Sequence, residues 1–157
     1  MITPIIILCL LAGPLAIAYF YCKSTGTILN KRKFAYWGLS STFLLFAIGH
    51  LVKADGMVAM LPPWVPYRLA LVYLSGLLEL FIAITLLQPK YQSVAAKMAI
   101  AVFVLFFPVN IYAAFNHIGL GGHQWGPSYL LIRAPLQLIL IAWTYFLCVK
   151  GSANKTE

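Results

Sequence analysis

Five long apolar segments dominate the 157-residue sequence and restrict the environment in which it can fold. They cover residues 2–22, 34–52, 68–87, 97–115 and 129–149. Each is long enough to cross the roughly 30 Å hydrocarbon core of a bilayer, for which about 20 helical residues suffice. Because 62% of the residues are hydrophobic and 9% are charged, the apolar surface exceeds what one soluble core could bury. The sequence therefore predicts an integral membrane protein.

All five segments are predicted to be α-helices, because hydrocarbon offers backbone groups no hydrogen-bonding partner. The expected fold is an all-α polytopic bundle. Its divisions are residues 1–33 (a transmembrane helix and a basic loop), residues 34–150 (a four-helix membrane domain) and residues 151–157 (a tail). The first segment has no basic residues ahead of it and no small-x-small cleavage site before Lys23, so we interpret it as a helix. Pro14, which follows Gly13, is expected to bend it.

The net charge of +8 follows the order of the segments. Eight basic residues fall on one side of a five-span chain: Lys23, Lys31, Arg32, Lys33, Lys90, Lys97, Lys150 and Lys155. Lys53 and Arg68 border the other side, and Arg133 lies inside the last segment. Basic loops stay in the cytoplasm, so the expected location is the inner (plasma) membrane with the N-terminus outside and the C-terminus in the cytoplasm. The charge thus indicates topology, and no nucleic-acid partner is expected.

The connection formed by residues 53–67 is too apolar for a solvated loop. We interpret Met57, Met60 and Trp64 as parts of a lid, residues 57–66, that lies in the membrane interface. Prolines at positions 62, 63 and 66 are expected to stiffen the connection and to deny it regular structure. An interfacial anchor without a ligand role is the alternative.

Two further sequence features give weak signals. The connection of residues 116–128 combines His117 and His123 with several glycines, which is more typical of a tight turn than of a metal site, and no metal is predicted. Cys9, Cys22 and Cys148 form no C-x-x-C motif, so we expect small buried hydrophobic residues rather than a disulfide or redox pair.

The most informative polar residue is Glu79, which lies near the middle of the third segment in a chain with three acidic residues. An ionisable group at this depth costs roughly 2.5 kcal/mol or more and usually faces a partner or a cavity. Side chains lean toward the N-terminus of their helix, so polar groups on antiparallel helices can meet. We predict an outward-facing ligand pocket, covered by the lid and lined by His50, Ser75, Glu79, Asn110, Arg133 and Gln137.

Depth along the helices predicts which of these residues touch Glu79. Its position is roughly 16 Å below the start of its segment. Ser75 lies one turn above Glu79, and Gln137 lies one turn deeper than Arg133. We therefore expect Ser75 and Gln137 as the direct contacts, with Arg133 and His50 above them. Pro108 and Pro135 should bend their helices beside the pocket. A hydrogen-bonded network that only specifies helix packing is the alternative.

Several short runs occur in an order that resembles the DoxX-like membrane proteins of DoxX/MauE type. They are H-L-V-K, M-L-P-P-W-V-P, L-V-Y-L-S-G-L-L-E-L, F-P-V-N-I-Y and R-A-P-L-Q, within about residues 36–147. The resemblance implies a four-helix inner-membrane bundle, to which residues 2–22 add one helix. Such proteins include subunits of quinone-linked redox complexes such as thiosulfate:quinone oxidoreductase, as well as accessory proteins and chaperones, and their fold is similar to that of EXPERA proteins. The paired cysteines of thiol-redox relatives are missing here.

Three functions are consistent with these features. The first is an accessory or quinone- or lipid-binding subunit of a membrane redox system, with a membrane or soluble oxidoreductase as partner. The second is an assembly or chaperone-type accessory protein that contacts partner helices through small residues, namely Gly13, Gly38, Gly49 and Gly76. The third is an EXPERA-like lipid or sterol isomerase or binding protein with Glu79 as general acid or base. A non-catalytic role is favoured, with quinone or lipid as the bound molecule.

Overall fold

The computed structural model describes residues 2–118 and 123–150, with the side chains of positions 123 and 124 left aside. The α-helices of this part are α1 (Ile2–Thr25), α2 (Lys31–Val52), α3 (Ala54–Met60), α4 (Arg68–Leu86), α5 (Gln92–Phe115) and α6 (Leu130–Trp143). A 3₁₀ helix, His123–Tyr129, leads into α6, and a π-helical segment, Thr144–Lys150, continues it. The predicted all-α bundle is confirmed.

Five stretches of the described chain are long and apolar enough to span a membrane. They are α1, α2, α4, α5 and Trp125–Lys150, and they contain 19 to 26 residues each. These stretches coincide with the five segments expected from the sequence, extended by a few residues at several ends. The protein is therefore a multi-pass membrane protein. The predicted tail at residues 151–157 lies outside the described residues.

Helix α1 packs on α2 at a point where the two backbones nearly touch. A Cβ atom at Gly38 would lie 1.9 Å from the carbonyl oxygen of Leu11, so a residue with a side chain cannot fit without moving a helix. The residues that α1 buries are Pro4, Ile7, Leu11 and Ala18, which follow one face of the helix. The helix continues through Pro14 to Thr25.

The apolar core lies between α2, α4, α5 and the last span. Its aromatic centre is the pair Phe43 and Phe103, whose ring centroids are 5.1 Å apart. Side-chain hydrogen bonds to backbone carbonyls hold helices at the basic half of the bundle. Ser40 of α2 donates to the Ala83 carbonyl at 2.7 Å, and the Tyr36 hydroxyl donates to the Cys148 carbonyl at 2.7 Å. The second bond joins α2 to the π-helical segment.

Residues 53–67 differ in part from the expectation. The first half forms α3, which packs against α2, α4 and α5, so the prediction that the whole connection lacks regular structure is wrong. The three prolines all follow α3, and the chain around them contains only turns. Proline restricts its own residue and the one before it, so it ends α3 without preventing the helix upstream.

The three cysteines occupy different environments, and all are free. Cys148 is fully buried, as expected for a small hydrophobic residue. Cys9 is exposed, and this part of the prediction is wrong. The reason is that α1 buries one face against α2 and leaves the remainder, including Cys9, to the surroundings of the bundle.

The contact between Gly38 and Leu11 predicts an asymmetric effect of alanine substitutions. Gly38→Ala should lower the free energy of unfolding by about 1–3 kcal/mol, because the added methyl group overpacks a backbone contact. Thermal unfolding in detergent measures this change. Gly13→Ala is the matched control, since a Cβ there meets no atom within 4 Å. Equal stability of the two variants would contradict the observed packing.

Candidate functional site

The buried carboxylate of Glu79 contacts a histidine on the neighbouring helix. Glu79 lies in α4 with 3% of its surface exposed, and its Oε2 atom is 2.8 Å from Nδ1 of His50, near the end of α2. Gly76 explains how α2 comes so close. A Cβ at Gly76, one turn before Glu79, would lie 2.6 Å from the Cβ of His50. The missing side chain therefore permits the contact.

The imidazole nitrogen that faces Glu79 has a second oxygen close by. Nδ1 of His50 is 3.0 Å from the carbonyl oxygen of Phe46, one turn earlier in α2. A single N–H cannot align fully with both oxygens. Oε2 of Glu79 consequently has a close contact but no hydrogen bond of good geometry. It is a buried acceptor that retains the capacity for another donor.

A second polar pair joins α5 to α6. Nη2 of Arg133 donates to Oδ1 of Asn110 over 3.4 Å, a long hydrogen bond. The amide nitrogen of Asn110 donates in turn to the Phe106 carbonyl at 3.1 Å. Nε of Arg133 is buried and has no hydrogen-bond partner. The guanidinium thus has an unused donor inside the bundle.

The two pairs meet around Phe106. Its ring centroid lies 6.4 Å from that of His50, and its carbonyl holds Asn110. Arg133 and Glu79 also interact electrostatically, although no ion pair joins them directly in the described residues. The structure therefore brings four of the six predicted pocket residues together, one each from α2, α4, α5 and α6.

The other two predicted pocket residues have different partners. The Ser75 hydroxyl donates to the Val72 carbonyl of its own helix at 2.9 Å. The Gln137 side chain donates to the Phe103 carbonyl of α5. The expectation that these two residues are the direct contacts of Glu79 is therefore wrong, and His50 takes that place. The side chain of each residue donates instead to a backbone carbonyl, which is a strong hydrogen-bond acceptor in an apolar environment.

Gln137, one helical turn after Arg133 in α6, also lines a groove between α5 and α6. The groove has a volume of about 320 Å³ and is lined by Val104, Phe107, Ala134, Gln137, Leu138 and Ile141. Its walls are apolar apart from the amide. Pro108 and Pro135 lie within the two helices that form it, and each removes a backbone donor there.

The first part of the predicted lid belongs to α3, which contacts α2, α4 and α5. Met60 is buried. The terminal methyl carbon of Met57 lies 3.4 Å from the position that a Cβ atom would take at Gly49 of α2. Trp64 is 76% exposed, yet its ring meets the Tyr112 ring edge-on with centroids 5.8 Å apart. The segment is thus anchored to α2 and α5 above the polar pairs.

The glycine-rich connection is described in part. Residues 119–122 lie outside the described residues, as does the side chain of the predicted His123. His117 has a φ of 52°. Its imidazole packs against Gly126, where an added Cβ atom would lie 2.5 Å from Nε2 of His117. Within the described ranges no three His, Cys, Asp or Glu residues cluster in a way that could hold a metal ion.

Comparison with known protein families gives a match over most of the chain. The family model described as "Domain of unknown function (DUF8561)" matches residues 39–148. The chain belongs to the DUF8561 family. The match includes every residue of the two polar pairs and both groove-forming helices, and it leaves α1 outside. No curated protein and no solved structure matches the chain.

The contact between His50 and Glu79 predicts energetic coupling between these two residues. A double-mutant cycle with His50→Gln and Glu79→Gln should give a coupling free energy of about 1 kcal/mol, typical of strong polar pairs in membrane proteins. Reversible unfolding in detergent measures each corner of the cycle.

Ser75→Ala with Glu79→Gln provides the matched control cycle, because the Ser75 hydroxyl bonds within its own helix. This cycle should show no coupling. Coupling of Ser75 equal to that of His50 would contradict the observed contacts.

Proposed function

We propose that this DUF8561 protein is a DoxX-like accessory subunit of a membrane redox system that binds a quinone or lipid head group between its polar pairs. The observation that supports this proposal is the presence of two buried atoms of opposite character with unused hydrogen-bonding capacity. Oε2 of Glu79 lies 2.8 Å from Nδ1 of His50 without a well-aligned hydrogen bond, and Nε of Arg133 has no hydrogen-bond partner. Buried polar atoms without partners are rare, because each loses its hydration free energy without compensation.

The chemistry of the four residues suits a flat head group with oxygen atoms. The Arg133 N–H can donate to a carbonyl oxygen, and the Glu79 carboxyl can accept from a hydroxyl. A quinone has carbonyl oxygens in its oxidised form and hydroxyls in its reduced form. The adjacent imidazole of His50 can exchange a proton with the carboxyl when the ligand changes state.

The surroundings of the polar pairs match the remainder of such a ligand. The apolar groove between α5 and α6 has the volume of a small-molecule pocket, for which about 300 Å³ is a lower bound. An isoprenoid or acyl tail would occupy this groove, with Gln137 at its wall. The lid anchored at Tyr112 would limit access of water to the head group.

The proposal includes an orientation and a location. The end of the bundle with Lys31, Lys90 and Lys97 would lie in the cytoplasm, with the N-terminus outside and the protein in the inner (plasma) membrane. The polar pairs would then open toward the outer face. In this role the chain itself only binds the quinone. A membrane or soluble oxidoreductase would exchange electrons with the bound quinone.

The contact between Glu79 and His50 also supports a second candidate function. A carboxyl next to an imidazole can move a proton on a bound lipid or sterol, as the EXPERA-like alternative requires. The alternative of an assembly or chaperone-type protein, which depends on glycines that contact partner helices, has less support than these two functions. Gly38 and Gly76 make contacts inside the bundle and are not available to partner helices, while Gly13 faces open space.

Quinone binding is tested with the full chain in lipid nanodiscs and a short-tailed benzoquinone as probe. The wild type should gain thermal stability with quinone concentration, since a ligand that binds the folded state stabilises it by mass action. Arg133→Gln and Glu79→Gln should each weaken binding by about tenfold or more, the effect of losing one hydrogen bond to a charged group.

Asp55→Asn is the matched control, because Asp55 is an exposed acid of α3 and should leave the quinone titration unchanged. The proposal fails if the wild type shows no quinone-dependent stabilisation. It fails equally if Glu79→Gln lowers stability without ligand but binds quinone as tightly as Asp55→Asn does. A response to sterol or phospholipid and none to quinone would support the second candidate.

A further inference from the structure

A second groove lies at the opposite end of the molecule from the lid. Its volume is about 440 Å³, and it is lined by Ala12, Leu15, Ala16, Tyr19, Phe20, Leu29, Lys31 and Trp143. The first five belong to α1, the next two to the start of α2 and the segment before it, and Trp143 ends α6. None of these residues belongs to the polar pairs, so the groove is independent of the function proposed above.

The groove exists because α1 is attached to the bundle mainly along α2. Leu11 approaches Gly38 at backbone distance, whereas α1 has few contacts with α6. Only 17% of the most apolar part of α1 is buried inside the protein. The indole of Trp143 forms the opposite wall, and its nitrogen makes a long hydrogen bond of 3.5 Å to the Ala35 carbonyl. A space therefore remains between α1 and the end of α6.

The groove combines apolar walls with one positive charge. Of the three consecutive basic residues at the start of α2, two have aromatic neighbours on their own helix. Arg32 donates to the Tyr36 hydroxyl at 3.0 Å, and Nζ of Lys33 lies 5.6 Å from the Trp37 ring centroid. Lys31 lines the groove instead. No acidic side chain is among the lining residues, so the charge at this position is positive.

We infer that this groove binds one acyl chain of an anionic phospholipid, whose phosphate pairs with Lys31. In a bilayer the space must be filled, because an empty apolar gap forfeits dispersion contacts. An acyl chain fits the walls formed by Leu15, Phe20 and Trp143. The head group of that lipid then lies at the basic end, where basic residues between helices favour anionic lipids.

The bound lipid has a structural consequence for α1. The helix contacts the bundle extensively on the α2 side, whereas on the α6 side the lipid adds to a few direct protein contacts. The acyl chain therefore completes the packing of α1 against the four remaining spans. Loss of the lipid leaves the Leu11–Gly38 contact as the principal attachment of α1.

The test is native mass spectrometry of the full chain released from detergent with equal amounts of phosphatidylglycerol and phosphatidylcholine. The wild type should retain phosphatidylglycerol preferentially. Lys31→Gln should reduce the ratio of retained phosphatidylglycerol to phosphatidylcholine by about fivefold, the effect of one lysine on an anionic lipid. Ala16→Phe, which fills the groove, should reduce the number of retained molecules of both lipids.

Lys97→Gln is the matched control, since Lys97 is an exposed lysine of α5 at the same end and does not line the groove. Its lipid ratio should equal that of the wild type. A wild type without preference, or equal ratios for Lys31→Gln and Lys97→Gln, would overturn the role of Lys31. Unchanged lipid retention in Ala16→Phe would overturn the assignment of the acyl chain to the groove.

Discussion

The close approach of α2 and α4 at Gly76 is the contact on which the polar site depends. Without a side chain at this position, the His50 backbone comes near enough for its imidazole to reach Glu79. The carboxylate of Glu79 is costly at membrane depth, and the imidazole of His50 lies in contact with it. Phe106 then connects this pair to Asn110 and Arg133. The missing side chain at Gly76 thus permits the contact between α2 and α4 on which the His50–Glu79 pair rests.

The bilayer acts as a component of this fold as well as its solvent. Lipid tails are as apolar as the side chains of the helices, so hydrophobic burial does not drive helix association in a bilayer. The helices associate instead through close backbone contact and through polar groups. Gly38 and Gly76 permit the close backbone contacts, and the two polar pairs are the polar groups. Where helices separate, between α5 and α6 and between α1 and α6, apolar grooves remain. The residues matched by the DUF8561 family model include the first groove and the polar pairs, whereas α1 lies outside them.

Segment length and hydropathy were sufficient to predict the five spans, because a bilayer permits few other structures for such segments. Glu79 was also identifiable, since a lone carboxylate in an apolar helix has few innocuous explanations. Its partner was not. Depth along a helix axis is one coordinate, and the close approach of α2 to α4 that brings His50 to Glu79 depends on Gly76 in the packed bundle. A glycine one turn from a buried acid was the available signal. Gly13, where an added Cβ would meet no atom within 4 Å, is indistinguishable from Gly38 in the sequence. The groove beside α1 depends on a gap that no local pattern specifies.

The pairing of His50 with Glu79 in the membrane is tested most directly by solid-state NMR of the protein in lipid bilayers. The experiment measures dipolar coupling between the ¹³C-labelled side-chain carboxyl of Glu79 and the side-chain nitrogens of ¹⁵N-labelled histidine or glutamine. The 2.8 Å contact predicts strong coupling to Nδ1 of His50 and none to Nε2 of Gln137, which bonds Phe103 instead. Coupling of Glu79 to Gln137, with none to His50, would contradict the arrangement of the site.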